Sequence, residues 1–217
     1  MKTMFVDFSK KISGELKLKL PGFSAQSRMS PPGRKAMIDS MNEKINPQLS
    51  AVLILLFSDD QSKSPKIVLI ERSENENGNH SGQIAFPGGR VEDSDSSLLK
   101  AALREAEEEI GINQSDVTIL GALTPLFIPV SNFLVHPFVG VNFGCPEFIK
   151  HSKEVNDIVS VGLDDLFSKE IKSTAEILIK NRSQKMEVPC YKIEGKVIWG
   201  ATAMIISEFE EIIRRIK

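Results

Sequence analysis

The sequence predicts an α/β (α+β) fold in which a mixed β-sheet is covered by helices. Three observations point there. Strand-like runs outnumber helical ones. They are separated by both tight turns and helical stretches. One capped amphipathic helix stands mid-chain, shortly after a glycine pair. The chain has 217 residues, which suits one domain with elaborations.

The elements follow in order. Residues 3–20 carry Phe5, Phe8, Ile12, Leu16, Leu18 and Leu20 at loose helical spacing, and Pro21-Gly22 ends the run. Residues 21–34 are rich in Pro and Gly and read as an irregular connection, with a short helix across 35–44. Two strands, 50–57 and 66–71, flank the polar stretch 58–65 and form a hairpin. A second polar loop spans 73–82 and leads to Phe86-Pro87-Gly88-Gly89. The clearest helix comes next. Asp95, Ser96 and Ser97 offer N-caps, Leu99, Leu103, Ala106 and Ile110 form an apolar stripe, and Gly111 stops it. Strands are expected at 117–123, 133–143, 155–161, 186–193 and 196–199, with His136 before Pro137 ending or edging one of them. Helices are expected at 163–168 and 202–216.

Composition excludes several classes. A formal charge of −2 argues against a general nucleic-acid binder. Only Cys145 and Cys190 are present, without a metal-type pair, so a reducing, cytoplasmic setting is expected. Asp7 interrupts the N-terminal stretch too early for a signal-peptide core, and the apolar run 51–57 is too short to span a bilayer. Arg215-Ile216-Lys217 is no peroxisomal address. His80, His136 and His151 are scattered, so no zinc pair is suggested. Neither a phosphate-binding P-loop motif nor a Gly-x-Ser-x-Gly elbow occurs. Trp199 reads as a core anchor for the last helix before it reads as an adenine-stacking residue.

The chemistry lies in Arg104-Glu105-Ala106-Glu107-Glu108-Glu109. Glu105, Glu108 and Glu109 fall at i, i+3 and i+4, on one side of the helix, and Glu107 points elsewhere. Each such like-charge pair costs roughly 0.2–0.5 kcal/mol. Their place in the last turn adds to the cost, because the helix dipole there prefers cations. A solvated acidic face, with Arg104 paired to Glu108, would tolerate these energies. A cation site explains them better, because Gly88-Gly89 allows a backbone carbonyl to join three carboxylates in the all-oxygen set that magnesium takes.

Residues 88–112 resemble the Nudix box, a loop-helix-loop ending in Arg-Glu-apolar-x-Glu-Glu-x-Gly-apolar. The second half matches at every fixed position. In the first half the spacing from Gly89 to Arg104 is one residue longer, and Asp95 replaces the midway Glu. Both features resemble the coenzyme A pyrophosphatase branch, as do residues 69–73, 82–89 and Trp199-Gly200-Ala201-Thr202-Ala203. That branch carries a further Arg upstream of Phe-Pro-Gly-Gly, whereas residues 74–81 here contain none.

The resemblance implies a Nudix-type α/β/α sandwich with a mixed β-sheet and a loop-helix-loop metal site. It divides the chain into an N-terminal helical extension and linker, 1–45, and a Nudix hydrolase domain, 46–217. It implies magnesium, or manganese in its place, held by Glu105, Glu108, Glu109 and the Gly88 carbonyl. Arg104 would orient a neighbouring carboxylate and Asp95 brace the loop. Glu105 and Glu154 are the candidates for general base. Arg72, Arg90 and His80 are candidate substrate contacts, with Arg34 a weaker one. The expected partner is a small-molecule nucleotide, with no nucleic acid and no membrane, and a homodimer is left open. The implied reaction splits the pyrophosphate of coenzyme A or an acyl-coenzyme A into 4′-phosphopantetheine and adenosine 3′,5′-bisphosphate. The alternatives are a Nudix activity on ADP-ribose, NADH or a damaged nucleotide, and a non-catalytic nucleotide-sensing domain.

Overall fold

The computed structural model describes residues 2–41, 46–58, 64–73, 82–150, 153–179 and 184–216. Its centre is strand β1, Gln48–Phe57, exposed at Gln48 and Leu49 and covered on both faces from Ser50 onward. β1 runs parallel to β7, Phe133–Val141, in unbroken register from Gln48↔Phe133 to Leu56↔Val141. Beyond β7 lie β5, Thr118–Ala122, and β6, Leu126–Ile128, both antiparallel to it. The expected 133–143 strand therefore holds, but Pro137 sits inside it and His136 does not end it. Proline is tolerated there because its carbonyl, and hence its nitrogen, faces the break between β6 and β5, where Leu123 N–H donates to that carbonyl at 2.9 Å.

On its other edge β1 meets β2, Lys66–Arg72, only at Leu56↔Ile67 and Phe57↔Lys66. The two strands then part. The segment that follows fills the gap: β3, Ile84–Ala85, pairs with β2, and β4, Gly88–Arg90, pairs with β1. Phe86 lies between them, 2% exposed. The far edge of β2 carries β8, Val155–Gly162. This wedge sets the site, because it brings the Gly-Gly backbone beside the ends of β2 and β8.

Helix α4, Leu98–Ile110, covers one face of the sheet. Ser97 caps it through a side-chain bond from Lys100 N–H at 3.2 Å, and Gly111 closes it at φ 71°. Leu103, Ala106 and Ile110 pack against Leu53, Leu55 and Val68. The opposite face packs on α1, Lys2–Glu15, and α6, Gly200–Ile216. α1 stops before Pro21; its last turn tightens at Gly14, where Lys17 N–H bonds the Gly14 carbonyl at 3.2 Å, and Leu18 is left 60% exposed. Two short helices follow, α2 at Phe23–Gln26 and α3 at Arg34–Asp39.

Buried acids on α6 tie these layers together. Glu208 is fully buried and accepts from Gly22 N–H at 2.9 Å, Gln26 Nε2 at 2.9 Å and the Thr124 hydroxyl at 2.6 Å. A short helix, α5 at Leu163–Leu166, leads from β8 to a second sheet built from β9, Lys172–Ile179, β10, Gln184–Ile193, and β11, Lys196–Trp199. Neither β9 nor β6 is legible from periodicity. β9 is an edge strand with exposed positions on both faces, and β6 is three residues long. Lys196 bridges the two sheets through Glu71 and Asp157, which face each other across β2 and β8. Cys145 is exposed, Cys190 is buried, and both are free thiols. Among the described residues, no helix is long and apolar enough to cross a membrane.

Candidate active site on the carboxylate helix

The register of β4 decides what its backbone can do. Leu53 N–H bonds the Pro87 carbonyl at 2.8 Å and Val91 N–H bonds the Leu49 carbonyl at 3.0 Å. By antiparallel alternation Gly89 exchanges its bonds with Ala51, and the backbone groups of Gly88 and Arg90 face away from β1. Both then meet α4. Gly88 N–H donates to Glu109 Oε2 at 2.8 Å, and the Arg90 carbonyl accepts from Arg104 Nη2 at 3.2 Å. The Gly88 carbonyl is turned to the same side.

No side chain fits at either glycine. At Gly88, φ is 149° and a Cβ would stand 2.3 Å from the Ala51 carbonyl oxygen. At Gly89 a Cβ would stand 2.4 Å from the Glu105 carboxylate carbon. The Glu105 carboxylate is thus laid directly on the Gly89 backbone.

Arg104 organises the loop. Its Nε and Nη2 each reach Asp95 at 3.0 Å, a bidentate pair, and Nη1 reaches Glu105 Oε1 at 3.0 Å and Glu108 at 3.4 Å. The Arg104 bond holds the Asp95 carboxyl below its ordinary range, assisted by the Glu92 N–H. Asp95 therefore pins Arg104, and Arg104 aims Glu105. Asp95→Asn is expected to lose about 1–3 kcal/mol of stability, the scale of hydrogen bonds to charged groups. Chemical denaturation of both proteins measures it.

The carboxylates are crowded. Glu109 is 3% exposed, and burial pushes its carboxyl up to about 7 against the opposing pull of Gly88 N–H and Arg72. Burial also holds Glu105 above the usual carboxylate range, against Arg104 and with Glu108 and Glu154 adding to the rise. Glu108 is more open, with 56% of its side chain exposed.

Glu154 joins the group from another element. β8 pairs with β2 to their ends, where Ser73 N–H bonds the Glu154 carbonyl at 2.7 Å. Its carboxylate lies 3.3 Å from Arg72 Nη2, and its charge acts on both Glu105 and Glu109. Arg72, at the end of β2, also lies 3.7 Å from Glu109.

The structure thus brings Gly88, Arg72, Arg104, Glu105, Glu108, Glu109 and Glu154 together. Arg90 is at the rim, its side chain exposed and its carbonyl bound by Arg104. Arg34 is elsewhere: it donates to the Phe127 carbonyl at 2.6 Å and stacks over Phe23. His80 lies outside the described residues. His136 stands on β7 opposite Ala51, and burial lowers its pKa.

Among the described residues no three acidic, His or Cys side chains are drawn close enough, as placed, to hold a metal ion. Arg104 and Arg72 stand between the acids instead. The donors nevertheless fit a hard cation. They are all oxygen, they repel one another, and two of them are held above their ordinary pKa by burial and that repulsion.

Comparison with known proteins agrees with this geometry. The NUDIX domain profile matches residues 47–180. The Nudix hydrolase NudL of Escherichia fergusonii is 35% identical over 168 residues, 76% of this chain and 83% of the relative. That of Photorhabdus laumondii is 37% identical over 149 residues, 68% of this chain and 76% of the relative. Among solved structures, a MutT/nudix family protein from Enterococcus faecalis superposes with a TM-score of 0.53 at 17% identity, over 88% of this chain and 73% of that one. That likeness concerns the fold. The chain belongs to the Nudix hydrolases, as an α/β/α sandwich with a mixed sheet. It is a pyrophosphohydrolase acting on a nucleotide-derived substrate, and membership implies dependence on magnesium.

Proposed function

We propose that this enzyme splits the pyrophosphate of coenzyme A or an acyl-coenzyme A, yielding 4′-phosphopantetheine and adenosine 3′,5′-bisphosphate. Glu105, Glu108, Glu109 and the Gly88 carbonyl would hold magnesium, or manganese in its place. The observation that carries the chemistry is the convergence of Glu105 and Glu109 from α4 with Glu154 from the segment before β8, beside Gly88-Gly89 and Arg72. When bound there, the cation supplies neutralisation of phosphate charge.

The remaining work falls to the chain. Phosphoryl chemistry of this kind is mostly positioning and charge stabilisation. Arg104, fixed by Asp95, orients Glu105. Glu154 is 63% exposed at the mouth of the site and can meet a water there, so it is one candidate for general base; Glu105, already engaged by Arg104, is the other. Arg72, beside Glu109, and the exposed Arg90 at the rim are the candidate contacts for a polyanion.

The support for coenzyme A lies in residues that flank the box. The Trp199–Ala203 segment and the approach to Phe86-Pro87 meet in space, where the Thr202 hydroxyl donates to the Ile84 carbonyl at 3.0 Å. Two stretches that resemble the same branch are therefore one structural unit beside Gly88. A second reading, hydrolysis of ADP-ribose, NADH or a damaged nucleotide, is favoured by the lack of Arg in residues 74–81. A non-catalytic sensing role is disfavoured by the complete set Glu105, Glu108 and Glu109.

A substrate panel with magnesium, its products identified by mass spectrometry, separates these readings. Coenzyme A is expected to yield the two named products. Clear turnover of ADP-ribose or NADH with none of coenzyme A would replace the first reading by the second.

A further inference from the structure

The two arginines of the site are held very differently. Arg104 is fully engaged: two bonds to Asp95 at 3.0 Å, one to Glu105 at 3.0 Å and one to the Arg90 carbonyl at 3.2 Å. Arg72 is loosely held. Its Nη1 is 3.7 Å from Glu109 Oε1 and its Nη2 is 3.3 Å from Glu154 Oε2, with 32% of the side chain exposed. It is not tightly paired with either acid. It spans them, one from α4 and one from the turn just before β8.

Glu109 explains why a cation stands there. It is buried, with one oxygen bonded to Gly88 N–H and the other facing Arg72. An ionised carboxylate in that position needs a nearby positive charge. A divalent ion on Glu105 and Glu109 would supply the same charge. It would also draw on the oxygens that Arg72 faces, so guanidinium and metal compete.

We propose that Arg72 is the internal counter-cation of the metal site. In the metal-free enzyme its guanidinium bridges Glu109 and Glu154. On metal binding it gives up Glu109 and turns toward the phosphates of the nucleotide. The inference rests on the reading of Glu105 and Glu109 as metal ligands. It assigns Arg72 two roles in succession, for which its loose geometry and partial exposure suit it. Arg104 pairs with Glu105 and Glu108, but its bidentate bond to Asp95 keeps it from making the second move.

The test is manganese binding to the substrate-free protein, followed by the electron paramagnetic resonance signal of the free ion, in wild type, Arg72→Gln, Arg72→Lys and Glu109→Gln. Removing a competitor tightens binding, so Arg72→Gln is expected to bind manganese at least about fivefold more tightly, within the usual range of site coupling. Arg72→Lys keeps the charge and is expected to remain near wild type. In steady-state assays Arg72→Gln is expected to raise KM for the nucleotide more than it lowers kcat, because a phosphate contact is lost. A structural tie between β2 and β8 would instead weaken metal binding in Arg72→Gln, and that result overturns the proposal. Unchanged binding overturns it as well. Glu109→Gln separates the two levels. If it leaves manganese binding intact, the metal-ligand reading fails and this inference with it. If it abolishes binding while Arg72→Gln brings no tightening, the counter-cation role alone fails. Thermal melts of each variant verify that it is folded.

Discussion

Glu109→Gln is expected to reduce turnover by on the order of 10²–10³-fold, the scale of losing one preorganised electrostatic group, while leaving the fold intact. The substitution keeps shape, and the amide oxygen can still accept the Gly88 N–H that Glu109 now holds at 2.8 Å. What it removes is the buried negative charge that would draw a cation. The same charge has a cost in the metal-free protein, because burial has moved this carboxyl from an ordinary 4.5 to about 7. With the folded pKa raised, the folded state retains a proton that the unfolded chain has released. Glu109 therefore contributes stability that is fully present below about pH 4.5 and lost as pH rises through about 7. The loss has a ceiling of about 3 kcal/mol. Melts in chelator at pH 5 and pH 8 are expected to show this decline in wild type, reversal by magnesium, and a flatter profile in Glu109→Gln. Wild-type turnover in Glu109→Gln would refute its assigned role, and the same holds for Glu108→Gln.

The second large effect concerns the glycine pair, whose members are expected to fail in different ways. Gly88→Ala drives a Cβ to 2.3 Å from the Ala51 carbonyl oxygen and 2.6 Å from Val52 Cα, at a φ of 149°. Those atoms are backbone in the central strand and cannot yield cheaply. A loss of about 3 kcal/mol or more follows from strain and overpacking together, or about 10 °C in Tm for a chain of this size. Gly89→Ala meets only the end of a side chain, the Glu105 carboxylate, with both oxygens 2.5 Å from the new Cβ. That group can swing aside. Gly89→Ala is expected to stay folded with a nearly unchanged Tm and to lose most of its activity, because Glu105 no longer lies on the loop. Equal Tm losses in the two variants would contradict this division.

Much of the architecture could be read along the chain. Helix α4 was legible from its cap, stripe and stop because an amphipathic helix writes its burial into local spacing. β1 and β2 were legible as continuous apolar runs. The limits have equally local causes. β6 is too short to show a period, and β9 is an edge strand with exposed positions on both faces. Glu208 and Glu210 look like solvated acids on α6, yet both are buried. The partners of Glu208, namely Gly22, Gln26 and Thr124, lie far away in sequence, and Glu210 adds the distant Lys172 to its local pair with Arg214.

The acidic helix shows the same boundary at the site. The spacing of Glu105, Glu108 and Glu109, with Gly88-Gly89 before them, was enough to indicate oxygen ligands and phosphate chemistry, since a helix and a glycine pair are local structures. Which acid is buried was not written there. Glu109 is sealed and Glu108 open because of how α4 rolls onto β4, and a roll depends on packing that spans the sheet. The arrival of Glu154 and Arg72 depends on the pairing of β8 with β2. These contacts join positions more than thirty residues apart, and only the folded sheet brings them within ångströms. The sequence by itself determined the class of chemistry. The tertiary structure decided which charges face one another, because burial and long-range pairing are properties of the assembled layers.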